Sequence, residues 1–409
     1  RGTMTGASSF QLSKRVRGSA IVVLLLGICA ATYGVLADPQ RVWPNLLVNG
    51  FYAASLGVSA IFFLAAQRAT GARWSASLRR IPEAFMPLVS VTSIMILVLF
   101  FGRQTLYPWS RPGAMAGEPS IAGWARYLQP SWVLTRMVLV FAAWMFFAWL
   151  FRKLSLQQDR HPELALALHH KLTRYAVMFV PVFAVTLTIG AFDWLISTDP
   201  RWFSTMYAVY VFAGTFVQGI AAVTLAIVIL QERGPLRDSV SDHQLHDLGK
   251  MLFAFSTFWA YIWVCQYLLI WYGNIPDEIT HYVARTNGPW LFLFALNLIA
   301  NWVAPFLVLL SVRAKCTTRV LKVIAVLLLG GHWLDLYLLA TPSIWSAPKF
   351  GLLEITIAAG NLALIFLVFT RSLGRAPVVP VHDPILAYEH AHAGIHPASM
   401  QPGVRGAAQ

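Results

Sequence analysis

Ten times between residues 18 and 369 the chain runs for roughly 17–25 residues with very few charged side chains, then breaks into a polar link. The runs fall at about 18–36, 46–66, 84–102, 132–151, 175–196, 206–230, 252–272, 290–310, 323–339 and 352–369. Each is long enough to cross a hydrocarbon layer of roughly 30 Å as a helix, and a helix satisfies its own backbone polar groups in lipid. A chain of 409 residues could otherwise hold several soluble domains. With 57% hydrophobic and 12% charged residues and a mean hydropathy of +0.61, that reading is excluded. The pattern predicts an all-α integral membrane protein of about ten spans.

The formal charge of +14 does not point to nucleic acid, because the basic residues lie between apolar runs and form no single patch. They act instead as topology signals. Of the 31 Lys and Arg, about 23 fall on the side of the N-terminus, among them Arg15, Arg17, Arg79, Arg80, Arg152, Arg233, Arg313 and Arg371. About eight fall opposite, including Arg41, Arg103, Arg201, Arg285 and Lys349. An even number of spans and this asymmetry predict that both termini are cytoplasmic. Residues 1–17 form a leader, 18–372 the membrane domain and 373–409 a cytoplasmic tail, flexible or docked. The first run is about 19 residues long and no A-x-A site closes it, so it is expected to stay as an uncleaved span.

Cys29, Cys265 and Cys316 are far apart and form no CxxC pair, so no iron–sulfur or haem c attachment is encoded. A haem b within the membrane usually needs two histidines, and only His332 lies well inside a span. His382, His390, His392 and His396 in the tail could bind a metal, but a tail poor in large apolar residues needs no metal to explain it. The expectation is that this chain holds no metal and no redox cofactor of its own.

The most informative stretch is 191–230. An apolar run ends at Phe192-Asp193-Trp194, a turn follows at Ser197-Thr198-Asp199-Pro200, and the next run begins beyond Trp202. Pro200 pushes Asp199 out of helical geometry, and Trp194, Trp202 and Tyr207 suit a membrane–water interface. Asp193 lies about one turn inside the run, where a carboxylate costs up to about 3 kcal/mol on insertion scales.

Other polar residues in the runs are Arg136, Gln218, Gln266, Asn297, Asn301, His332, Asp335, Glu354 and Asn361. His332 and Asp335 are three apart, hence on one helix face, where the carboxylate can orient the imidazole or exchange a proton with it. Intramembrane ionisable groups point to function, commonly a proton relay. Against that stands the plainer reading, in which Asn and Gln join helices, Arg136 snorkels and Glu354 sits at its helix start.

Several long segments resemble a known family. They are Phe192-Asp193-Trp194 through Asp199-Pro200-Arg201-Trp202, then Gln266-Tyr267-Leu268-Leu269-Ile270-Trp271-Tyr272-Gly273-Asn274-Ile275-Pro276, then Gly331-His332-Trp333-Leu334-Asp335-Leu336-Tyr337, with Leu154-Ser155-Leu156-Gln157-Gln158-Asp159 after the fourth run. In order over about residues 18–372, they look like the ActF subunits of bacterial alternative complex III, which are NrfD-like (polysulfide-reductase-C-like) membrane proteins.

The resemblance implies ten spans arranged as two four-helix bundles, here about 46–196 and 206–339, between a first and a last peripheral helix. It implies a multi-pass subunit of a quinol:electron-acceptor oxidoreductase in the bacterial inner membrane. The haem c groups and iron–sulfur clusters would then sit on partners: an iron–sulfur subunit, c-type cytochrome subunits, the sister subunit ActC and small membrane subunits. Quinol, menaquinol among them, would be oxidised in the complex, while this chain supplies assembly contacts and a proton path. The resemblance covers Asp193, His332 and Asp335 as candidates for that path; Arg136, Gln218 and Glu354 are added from their positions. Two other functions remain open, a subunit that itself binds and oxidises quinol and an independent secondary transporter, which would show broken helices in matching halves.

Overall fold

The computed structural model describes residues 10–113, 124, 126–237 and 239–386. Among them the chain is helical throughout its regular structure, with no strand. Ten helices among the described residues are long and apolar enough to cross a membrane. They are numbered here as spans: Lys14–Ala37, Pro39–Ala69, Ala76–Val98, Pro130–Arg160, Pro162–Thr198, Tyr207–Glu232, Asp242–Gly273, Trp290–Leu309, Thr318–Ala340 and Leu352–Leu373. This is a multi-pass membrane protein, as the apolar runs predict.

Local chemistry sets where the spans begin and end. Asp38 caps span 2 by accepting from the Arg41 amide, with Pro39 in the first turn where no amide donor is needed. Ser241 and Gln244 form a reciprocal capping box that starts span 7, and Asn274 ends it in the left-handed conformation at φ 47°. Span 3 is broken at Pro87, between helical pieces Arg80–Phe85 and Leu88–Val98.

Spans 2 and 6 are the most enclosed and pack against each other. Span 2 also contacts spans 3 and 5, and span 6 contacts spans 7 and 9. Small residues permit the close approach: a Cβ on Gly219 would lie 2.4 Å from Ser59 Oγ. Span 1 is mostly exposed and leans on span 10, where a Cβ on Gly27 would meet the Gly360 Cα at 2.6 Å.

Three expectations are refined. The stretch after Gly273, read as a loop, contains a short helix, Pro276–Thr286. Arg79 and Arg80, counted as loop charges, are buried, and Arg152 is half-buried. They stand with Arg68, Glu83 and Asp159 at one end of the molecule: Arg80 pairs with Glu83 at 2.6 Å and with Asp159, and Ser155 Oγ donates to Glu83 at 2.6 Å. The start of the tail docks on this cluster, with Asp383 paired to Arg79 and the Val381 amide donating to Asp159 at 3.1 Å. His382 contacts the Asp159 carbonyl at 2.9 Å, whereas His390, His392 and His396 lie outside the described residues.

Candidate functional site

The six residues singled out in the sequence fall into four places. His332 and Asp335 share one site, Arg136 and Asp193 share a second, Gln218 lies in a third and Glu354 in a fourth. No hydrogen bond or ion pair among the described residues joins Asp193 to Asp335.

Asp335 is the hub of the first site. Its carboxylate accepts from the Tyr210 hydroxyl on span 6, from Trp259 Nε1 on span 7 at 3.1 Å and from Asn297 Nδ2 on span 8 at 2.9 Å. His332 Nδ1 lies 3.8 Å from Asp335 Oδ2, the oxygen that accepts from Trp259, and its Nε2 has no partner among the described residues. Both side chains are buried. The sites's floor is Gly214: a Cβ there would lie 2.6 Å from His332 Cε1 and 3.4 Å from Asp335 Oδ2. Span 8 widens into a π-helical turn at Ile299–Val303, two residues past Asn297, and Asn301 within it donates to Asn297 Oδ1 at 2.7 Å.

Every hydrogen-bond donor to Asp335 is neutral, and no Arg or Lys pairs with it among the described residues. A buried carboxyl group held in this way can be stabilised as an anion by three donors or can take a proton without breaking an ion pair. That is what a carrier needs.

The second site is different in kind. Arg136 on span 4 holds Asp193 on span 5 with two bonds, 2.7 Å from Nε and 3.0 Å from Nη2, and its guanidinium lies 3.8 Å over the Tyr127 ring. Asp193 sits in a π-helical turn, Ala191–Leu195, that aims it at this partner. Arg136 does not snorkel out to solvent as the plainer sequence reading allowed. A two-pronged ion pair of this geometry fixes the charge.

Gln218 donates to the Tyr52 carbonyl at 2.9 Å and accepts from Ser55 at 2.6 Å, tying span 6 to span 2. Glu354 sits in the first turn of span 10, as the plainer reading has it, and also pairs with Arg41 of span 2 at 2.5 and 2.8 Å.

The short helix Pro276–Thr286 closes the Asp335 site from outside the membrane-spanning segments. Its inner face carries His281 and Arg285, one turn apart, both buried. Arg285 donates to the Leu338 and Leu339 carbonyls at 2.8 and 2.9 Å, satisfying the open end of span 9. The His281 ring stacks on Trp202 at 3.7 Å, and its Nδ1 has no partner among the described residues. Between this helix and Asp335 lies a cavity of about 20 Å³, lined by His281, Arg285, Tyr207, Tyr210 and Asp335 among others. That is room for one water. The sequence offered a signal for the helix: Pro276 followed by Asp277 and Glu278, with Arg285 at the far end, is a helix start and stop.

Burial drives the His281 imidazole well below its ordinary pKa, with Arg285 adding to the effect, and burial pulls the Arg285 guanidinium down to about 10. The docked helix therefore refuses a proton that the undocked helix accepts below about pH 6.5. The stability of docking is present above that pH and is lost as pH falls. Asp199, whose carboxyl burial raises, works in the opposite sense nearer its own ordinary range of about 4. Amide-exchange protection of residues 276–286, corrected for intrinsic rates, should fall from pH 7 to pH 5. His281→Gln should remove most of that slope.

Fold and site together define a class, a multi-pass helical membrane protein with buried ionisable groups inside its spans. No family model and no curated protein matches the chain.

Proposed function

We propose that the chain is a non-redox membrane subunit of a quinol:electron-acceptor oxidoreductase of the alternative complex III type, and that it carries protons through the His332/Asp335 site. In this reading spans 2–5 and 6–9 are two four-helix bundles, spans 1 and 10 are peripheral, both termini are cytoplasmic and the membrane is the bacterial inner membrane. The redox groups belong to partner subunits, and assembly contacts with them are this chain's other role.

One observation carries the proton reading: a buried carboxyl group with neutral donors only, beside a histidine whose Nε2 has no partner among the described residues and a cavity with room for one water. A proton passes between His332 and Asp335 and leaves through that water beneath the helix Pro276–Thr286. Gln218, one turn from Gly214 along span 6, extends the polar line toward the middle of the membrane. Asp193 and Arg136 hold the neighbouring spans in register, and Glu354 with Arg41 ties span 10 to span 2.

Asp335→Asn tests this directly. The amide keeps an oxygen for Tyr210 and Asn297 but cannot exchange the proton. In the complex reconstituted into vesicles, proton release per electron should fall while subunit composition stays intact. Unchanged stoichiometry would remove Asp335 from the path.

The transporter reading calls for breaks at matching places in two halves. Here the π-helical turns lie in the fourth member of spans 2–5 and the third member of spans 6–9, which do not match. The quinol-oxidising reading is separated by photolabelling the complex with a quinone analogue, since label on this chain would favour it.

A further inference from the structure

At the end of the molecule where span 2 finishes and spans 3 and 5 begin, three basic side chains gather around one carboxylate. They are Arg68 of span 2, Arg79 of span 3 and His169 of span 5. The charges that act most strongly on Arg68 are Arg79 and Asp383, and those on His169 are Arg68, Asp383 and Arg79. Asp383 belongs to the docked tail and pairs with Arg79 alone. Arg68 makes no hydrogen bond or ion pair among the described residues. Its Nε and Nη1, the Arg79 Nε and the His169 Nδ1 are all buried without an acceptor.

The charges of this cluster do not balance. Arg68, Arg79 and Arg80 are buried and Arg152 is half-buried, whereas the carboxylates set among them are Glu83, Asp159 and Asp383. One positive charge is left over. A buried cation without a counter-charge is costly, so the cluster suits more negative charge than Asp383 supplies.

What seals the site is the tail. Arg79 and Asp383 are each 2% exposed, so no solute reaches these donors while the segment is down. It is held by Asp383 on Arg79, by the Val381 amide on Asp159 at 3.1 Å and by the His382 ring on the Asp159 carbonyl at 2.9 Å, with Val378 and Leu386 tucked in. All of these contacts are made beyond the last span, so the segment can open locally without unpacking the helices. Glu83 and Asp159 stay paired with Arg80 when it does.

A phosphate monoester matches the donors beneath. It carries nearly two negative charges at neutral pH and three strong acceptor oxygens, enough to offset the surplus arginine and to meet Arg68, Arg79 and His169 together. We propose that this end of the bundle is a binding site for a phosphate-monoester group, that Asp383 is its tethered resting occupant, and that the ligand binds by displacing residues 376–386. Lipid head groups and soluble phosphates share this chemistry; Arg68, one residue from the end of span 2, stands at head-group level.

The test places the full chain in phosphatidylcholine nanodiscs and adds phosphatidic acid, phosphatidylglycerol or inorganic phosphate. Bound lipid is read by native mass spectrometry and tail release by amide exchange of residues 378–386. Phosphatidic acid, a monoester, should bind about tenfold tighter than the diester phosphatidylglycerol and should speed exchange of the tail. Asp383→Ala should tighten phosphatidic acid binding by about tenfold more, the worth of one charge-assisted bond. Arg68→Met should erase the preference without lowering thermal stability, because no bond of Arg68 is lost. Tail release by inorganic phosphate as well names a soluble phosphate as a source, and release by phosphatidic acid alone names the lipid. Equal binding of the two lipids with no response to inorganic phosphate, tail exchange that stays unchanged or slows on binding, or a full preference surviving in Arg68→Met overturns the proposal.

Discussion

Replacing Arg136 with methionine will destabilise the folded chain by about 3–5 kcal/mol, the usual result of leaving one member of a buried ion pair alone. The Asp193 side chain is fully buried, so no solvent reaches the carboxylate when its partner is removed. Methionine keeps much of the packing volume under the Tyr127 ring but supplies none of the three donated bonds, two to Asp193 and one to the Tyr127 carbonyl at 2.9 Å. The double replacement Arg136→Met with Asp193→Leu should recover most of the loss, because exchanging a whole buried pair for apolar groups is often neutral or better. Unfolding in mixed detergent, read as a double-mutant cycle, checks both. If the single variant loses under about 1 kcal/mol, the pair behaves like an exposed one and the desolvation argument fails.

The same pair shows how far a sequence can be read. Asp193 and His332/Asp335 stand out because each is a polar intrusion in an apolar run, and the spacing of three puts His332 and Asp335 on one helix face. Their partners are not legible in this way. Tyr210, Trp259 and Asn297 lie on three other spans and look like ordinary membrane aromatics and amides, and they converge on Asp335 only after spans 6, 7, 8 and 9 pack. Arg41 is separated from Glu354 by 313 residues and reads as an interfacial charge until span 10 returns beside span 2.

The ten spans themselves were legible because length and hydropathy alone define them, with no need for tertiary information. The helix Pro276–Thr286 was legible in principle from its Pro, acidic first turn and terminal Arg, yet a window tuned to 20 apolar residues passes over an 11-residue amphipathic helix. Positive charge near the span ends misleads in the opposite direction. Counting treats each Lys and Arg as solvated, but Arg79 and Arg80 turn inward to meet carboxylates that lie 304 and 79 positions away.

That cluster gives the other large effect. Glu83→Ala should cost about 3–5 kcal/mol, because Glu83 is wholly buried and stands between Arg80 and Ser155. Its loss leaves Arg80 with Asp159 and the hydroxyl and carbonyl of Ser155, in a neighbourhood that already holds Arg68, Arg79 and Arg152 against two remaining acids, Asp159 and Asp383. Glu83→Gln retains an acceptor for Arg80 and should lose about 1.5–3 kcal/mol, the worth of hydrogen bonds to a charged group. The exposed pair Lys322 and Glu232 supplies the internal control: Lys322→Ala should change stability by no more than about 1 kcal/mol. Because the tail docks on the neighbouring Arg79 through Asp383 and on Arg80's other partner Asp159 through the Val381 amide, the Glu83→Ala loss should be accompanied by faster proteolysis between residues 374 and 386. Equal losses for Glu83→Ala and Lys322→Ala would mean that water reaches the cluster, and the tail would then be held by packing and not by charge.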